Sequence, residues 1–184
     1  MARALVPLAQ GCEELEAVTI IDLLRRAGVE VITAGLDAEP VRGSRGTLLV
    51  PDTTLDAVAA QAFDLIALPG GQPGANNLNA DPRVHAMLRR QAEHGGWCAA
   101  ICAAPLVLAH AGLLDGRAAT SFPGALTTDA FPNVRLSDAP VVTDGNIVTS
   151  RGPGTAMDFA LHLIELLLGR EQRDVVEAKL MRPR

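Results

Sequence analysis

The sequence predicts an α/β fold, with one domain over residues 1–184 built on a mostly parallel, doubly wound sheet that carries helices on both faces. Three observations point to it. Short apolar runs alternate with amphipathic helical stretches, the rhythm that crossover helices between parallel strands impose. The strand candidates are near-continuously apolar, as strands buried between two helix layers are. The chain is 184 residues long and 48% hydrophobic, and a domain of that size can bury roughly 70% of its unfolded surface around one core.

The elements follow in order. Ala4 to Leu8 reads as the first strand. Ala17 to Ala27 reads as a helix with apolar Val18, Ile20, Ile21 and Leu24, Arg25-Arg26 in its last turn, and Gly28 as its stop. Val29 to Ala34 is a strand, Leu55 to Gln61 a short helix, Asp64 to Leu68 a buried strand and Arg83 to Glu93 a helix. The turn Glu93-His94-Gly95-Gly96 feeds a strand at Trp97 to Ile101, and Pro105 fits the first turn of a helix at Ala104 to Ala111. Val141 to Thr149 reads as a hairpin around Asp144-Gly145, expected at the sheet edge. Pro153 opens a long helix to Leu168, stopped by Gly169, and Asp174 to Leu180 adds a short terminal helix. There is no repeat, low-complexity tract or interdomain linker.

Composition removes several classes of function. The net charge of −5 and pI of about 5.3 leave no electrostatic footprint for charge-driven nucleic-acid binding, although a nucleotide group held in a pocket is compatible with them. Three cysteines without short paired spacings fit a reducing compartment, so a cytoplasmic location is expected. The N-terminus enters a strand pattern too early for a signal segment. No apolar run is long enough to cross a membrane, since Leu161 to Leu168 is broken by His162 and Glu165, and no membrane partner is expected.

In doubly wound sheets ligands bind beyond the carboxyl ends of the strands. Three segments should meet there: Ala9 to Glu16, Pro69 to Asn77, and the elbow at Cys102. Cys102 ends an apolar strand just before a helix, where free N–H groups and the helix dipole favour a thiolate, so a lowered pKa is expected. The residues alone also allow Cys102 to be a small buried hydrophobe. Gly70-Gly71 follows a buried strand and, with the Ala103 N–H, can form an oxyanion hole. Gly71-Gln72-Pro73-Gly74 matches neither dinucleotide nor Walker spacing, and no cofactor is indicated.

Glu13, Glu14 and Glu16 open the first helix; two of them read as solvated capping carboxylates and one as a buried acid able to exchange a proton with Cys102. The four histidines, His85, His94, His110 and His162, sit in surface-type contexts, which disfavours a Cys-His triad. Cys98 and Cys102 would stand roughly 13 Å apart along a strand, too far for a shared metal, and no metal site is expected. Cys12 reads as either filler or a resolving thiol for Cys102.

Six ordered blocks then show a likeness that covers nearly the whole chain: Arg3 to Val6, Glu13 to Val18, Arg26-Ala27-Gly28, Leu68 to Gly71, Ala99 to Pro105, and Thr149 to Thr155. On them the chain resembles the ThiJ/PfpI superfamily, and within it the parkinsonism-associated protein deglycase branch with its bacterial YajL-like members. The resemblance implies a flavodoxin-like fold with a nucleophile elbow at Cys102, an oxidation-prone nucleophile. It implies that Glu16 is the acid bonded to Cys102, and that Gly70, Gly71 and Ala103 supply the oxyanion-stabilising backbone. Arg45 and the Arg151-Gly152-Pro153 segment would form the pocket rim near a homodimer interface.

Animal members of the family place a histidine beside the cysteine in a Thr-His-Pro stretch. Here Ser121-Phe122-Pro123 stands instead, which adds Phe122 to the rim and removes that histidine from any mechanism. The superfamily's proteases carry a histidine directly after the cysteine, and Ala103 in that place argues against peptidase activity.

The implied activity is a cofactor-independent glyoxalase or deglycase acting on methylglyoxal, glyoxal or their early adducts with proteins or nucleotides. The competing reading is an oxidative-stress sensor or redox-regulated chaperone that works through oxidation of Cys102.

Overall fold

The computed structural model of the protein describes residues 1–182; the last two residues of the expected domain lie outside the described residues. The chain runs β1 (Arg3–Leu8), α1 (Glu14–Arg26), β2 (Glu30–Gly35), β3 (Val41–Arg42), β4 (Leu48–Leu49), β5 (Thr53–Thr54), α2 (Leu55–Val58), β6 (Leu65–Leu68), α3 (Gln72–Ala80), α4 (Pro82–Glu93), β7 (Trp97–Ile101), α5 (Pro105–His110), β8 (Ala118–Ala119), β9 (Arg135–Leu136), β10 (Val141–Asp144), β11 (Ile147–Ser150), α6 (Ala156–Leu168) and α7 (Arg170–Ala178).

Seven strands form the central sheet in the order β10-β11-β7-β6-β1-β2-β5. All neighbours are parallel except the β10–β11 hairpin, which closes one edge. This is the expected mostly parallel, doubly wound sheet. Helices α1, α6 and α7 pack on one another, and α3, α4 and α5 form a second packed group. The inner strands are buried without alternation: Leu65–Leu68 throughout, and β7 from Cys98 to Ile101. A helix layer on each face explains that continuous apolar run.

Several boundaries differ from the sequence reading. Most of the segment Pro69 to Asn77, for which no helix is expected from the sequence, belongs to α3; Gly71 caps it and Pro73 sits in its first turn, where a missing N–H costs nothing. The adjacent Asn76 and Asn77 are weak helix formers that obscured it. The helix expected at 55–61 is one turn, and Pro153–Thr155 is a 3-10 turn before α6. The terminal helix starts at Arg170, earlier than expected. The two small pairs β3–β4 and β8–β9 were not anticipated, being only two residues per strand. In α1 the buried face is Glu16, Ala17, Ile20, Leu23 and Leu24, whereas Val18 points outward beside Leu15.

Parallel register sets up the site. Leu68 lies opposite Ala100 on one side of β7, and Ser150 lies opposite Ile101 on the other. Continuing each strand by two residues brings Gly70 beside Cys102 at the carboxyl end of the sheet.

Candidate active site

Cys102 has φ of 65°, a left-handed conformation that costs a non-glycine residue roughly 1 kcal/mol. Its backbone is held from both sides: the Cys102 N–H donates to the Ser150 carbonyl at 3.0 Å, and its carbonyl accepts the Phe122 N–H at 2.8 Å. These bonds turn the chain sharply out of β7 and aim the side chain away from the sheet end. Only 8% of Cys102 is exposed.

Glu16 reaches the same point from the first turn of α1. It is 0% exposed, and its Oε2 accepts the Gly70 N–H at 2.8 Å. Its Oε1 has no hydrogen-bond partner. Gly70 has no space for a side chain: a Cβ there would lie 2.5 Å from Cys102 Cβ and 2.7 Å from Glu16 Oε2. Gly71 has φ of +86°, and a Cβ on it would meet the Gly11 carbonyl at 2.5 Å. Both glycines are therefore fixed by close approach, and the N–H groups of Gly71 and Ala103 serve the Cys102 sulfur.

The electrostatics correct one expectation. Burial, reinforced by the Glu16 carboxylate, pushes the Cys102 thiol up to about 12 against the pull of the Gly71 and Ala103 N–H groups, so the thiol is not lowered by its helix. The reason is that α5 has only six residues and a weak dipole, while a buried acid faces the sulfur. Burial likewise raises Glu16 to about 7, opposed by the Gly70 N–H and Cys102. Each group's ionisation suppresses the other's, so the two titrate as a coupled pair, which above neutrality holds one proton, resting mainly on the sulfur and available to the carboxyl.

The three acids of α1 divide their work. Glu13 caps the helix by accepting the Glu16 N–H at 2.8 Å. Glu14 is not the solvated cap expected of it: it accepts N–H groups from Arg45 at 2.9 Å and Thr47 at 3.3 Å and the Ser44 hydroxyl at 3.3 Å. Burial works against ionisation of Glu14, but these donors and its own N–H outweigh it and hold the carboxyl down at about 2. The loop at 43–47 is thereby tied to α1.

The expected rim is brought together in part. Phe122 is half exposed beside Cys102, and a Cβ on Gly152 would lie 3.5 Å from its ring. Thr155 Oγ1 accepts the Gly152 N–H at 3.1 Å and fixes the turn through Pro153. The Arg151 guanidinium is engaged by Asp138, and that of Arg45 by the Ser44 carbonyl; neither forms a hydrogen bond or ion pair with Cys102 or Glu16.

The histidines lie apart from Cys102, although two are not plain surface groups. Half-buried His85 is bonded to the Asn79 carbonyl and His162 to Thr143 Oγ1, because α4 and α6 press those faces against neighbouring elements. Cys98 points to the Leu88 carbonyl, and burial pushes it up to about 12. Cys12 is fully buried and raised to about 11 chiefly by that burial. Among the described residues no group of three or more His, Cys, Asp or Glu side chains could hold a metal ion, and no helix is long and apolar enough to cross a membrane. A cavity of about 900 Å³ lies at the opposite end of the sheet, against Phe63, Gln91 and Trp97, remote from this chemistry.

Comparison with known proteins agrees with the geometry. The model of the DJ-1/PfpI family matches residues 2–166. Protein dj-1beta of Drosophila melanogaster is 46% identical over 170 residues, covering 92% of this chain and 91% of that protein. Its crystal structure superposes with a TM-score of 0.94 at 44% identity, covering 100% of this chain and 99% of that one. The glutathione-independent glyoxalase DJR-1.2 of Caenorhabditis elegans is 36% identical over 165 residues, covering 89% of this chain and 87% of that protein. On this fold, this elbow and these matches, the chain belongs to the DJ-1/PfpI family.

Proposed function

We propose that this protein is a cofactor-independent glyoxalase or deglycase whose nucleophile is Cys102 and whose proton carrier is Glu16. The observation that carries the reading is the strained elbow that sets the Cys102 sulfur against two backbone N–H groups and a fully buried carboxyl with one oxygen free. A glyoxalase among the relatives supports the substrate class.

Transfer of the thiol proton to Glu16 generates the thiolate, which adds to the aldehyde carbon of methylglyoxal. The oxygen of the resulting hemithioacetal is held by the Gly71 and Ala103 N–H groups and takes up a proton. Glu16, ionised again, removes the proton from the former aldehyde carbon; the electrons of that C–H bond form an enediol, and protonation of the neighbouring carbon gives a lactoyl thioester on Cys102. Water cleaves the thioester, releasing lactate and the free thiol. Glyoxal gives glycolate by the same steps, and a glycated amine or nucleotide adduct enters at the carbinol stage with the amine as leaving group. With Phe122 in place of a base, Glu16 is the acid–base group placed beside Cys102.

The exposed Leu15, Val18, Leu48 and Val50 suit a second copy of this chain, and Val18 and Val50 line one shallow groove, so the working form is proposed to be a homodimer. Val50→Glu should then sediment as a monomer.

The deciding experiment is incubation with methylglyoxal without glutathione, following dicarbonyl loss and lactate formation. Turnover should vanish in Cys102→Ala and fall steeply in Glu16→Gln. Equal turnover in Cys102→Ala sinks the proposal. No turnover with one equivalent of Cys102 adduct favours the sensor or chaperone reading instead.

A further inference from the structure

Glu13 sits in a closed ring of three hydrogen bonds. Its Oε2 accepts the Glu16 N–H at 2.8 Å, Glu16 Oε2 accepts the Gly70 N–H at 2.8 Å, and the Gly70 carbonyl accepts the Glu13 N–H at 2.9 Å. The ring joins the helix cap, the buried carboxyl and the glycine loop, and it fixes a second carboxylate at the foot of Glu16. A negative charge there acts unequally on the two members of the proton-sharing pair. It opposes ionisation of Glu16 directly, whereas burial, Glu16 itself and the Gly71 and Ala103 N–H groups dominate around the sulfur.

We propose that Glu13 is a positioning residue for the cysteine site, whose carboxylate biases the shared proton toward Glu16 and so raises the fraction of Cys102 present as thiolate. The step is internal: the S–H bond of Cys102 breaks, an O–H bond forms on Glu16, and no other reactant takes part. The titratable groups facing Glu16 are Cys102 from the end of β7, Glu13 from its own helix cap, and Cys12 from the loop after β1. Glu14 is turned toward the loop at 43–47. Among the described residues no cationic side chain forms a hydrogen bond or ion pair with Glu16 that would offset the charge of Glu13.

This inference rests on Cys102 and Glu16 being the reactive pair, so its test reads the thiol and not turnover. Alkylation of Cys102 by iodoacetamide is followed between pH 5 and 9 in the wild type, Glu13→Gln, Glu13→Ser and Glu13→Ala, with mass spectrometry locating the adduct. Gln and Ser keep an acceptor for the Glu16 N–H and remove the charge, while Ala removes both. Both polar variants should slow alkylation at pH 7 by about 3- to 10-fold, the effect of moving about half to one unit of proton affinity from carboxyl to thiol. Their melting temperatures should stay near wild type, with Ala melting about 3 °C lower. Wild-type rates in Gln and Ser would overturn the proposal, and so would slowing confined to Ala, which would leave Glu13 a structural cap. A protein that shows the expected alkylation pattern but no glyoxalase turnover would refute the proposed reaction and leave this role of Glu13 standing.

Discussion

Replacing Gly70 by alanine perturbs three parts of the site with one methyl group. The new Cβ would lie 2.5 Å from Cys102 Cβ, 2.7 Å from Glu16 Oε2 and 2.8 Å from the Ile101 carbonyl oxygen, where ordinary contact begins at 3.4 Å. Cys102 or the glycine loop must therefore give way by about 0.9 Å, and Glu16 by about 0.7 Å. None of these atoms is the far end of a flexible side chain on the surface: Glu16 is 0% exposed and the Cys102 backbone is held at both its N–H and its carbonyl. Overpacking of this kind costs about 1 to 3 kcal/mol. For a chain of this length that lowers the melting temperature by roughly 3 to 10 °C. A shift near 1 Å between nucleophile and proton carrier should reduce turnover about 100-fold, more than the loss of stability explains at a temperature where the variant is folded. Thermal melts and lactate formation from methylglyoxal, measured side by side, separate the two effects. A Gly70→Ala protein with wild-type melting and wild-type turnover would refute both the packing argument and the placement of the reaction at this point.

Other outcomes follow from the same geometry. Glu16→Gln should flatten the pH dependence of stability: the carboxyl is raised in the folded state, from 4.5 to about 7, so its protonated form favours folding below about pH 4.5. That contribution, up to about 3 kcal/mol, is lost as pH rises through about 7, and melts of wild type and variant from pH 4 to 8 check the sign. Glu14→Ala should cost about 1 kcal/mol and open the loop at 43–47 to trypsin after Arg42 or Arg45, read by the rate of proteolysis of the folded protein. Cys102 should be alkylated well before Cys98 and Cys12, which are fully buried and have thiols raised by that burial, as mass spectrometry of a time course would reveal. Thr120→Val should stabilise the protein by about 1 kcal/mol, because the buried Thr120 Oγ1 has no hydrogen bond to lose and its desolvation cost is removed; a loss of stability in denaturant titration would show a partner there.

Much was determined by the sequence itself. The apolar runs at Leu65–Leu68 and Trp97–Ile101 read as strands covered on both faces, and the hairpin at Asp144-Gly145 as the closing edge, because periodicity and turn chemistry are local properties. The position of Cys102 between an apolar strand and Pro105 marked the elbow for the same reason. The helix at Gln72–Ala80 and the two-residue strand pairs escaped the sequence because Asn and Gly weaken the local signal and tertiary contacts supply the rest.

Which acid of Glu13, Glu14 and Glu16 would be buried was not readable from local pattern, and only the family resemblance singled out Glu16. Residues 54 positions apart, Glu16 and Gly70, meet only once parallel register aligns the ends of β1, β6 and β7. The proton balance of Cys102 is a tertiary property in the strictest sense. Sequence placed the sulfur near a helix and pointed to a lowered pKa, whereas burial and the Glu16 carboxylate, both products of long-range packing, push it the other way and make one proton common to two residues.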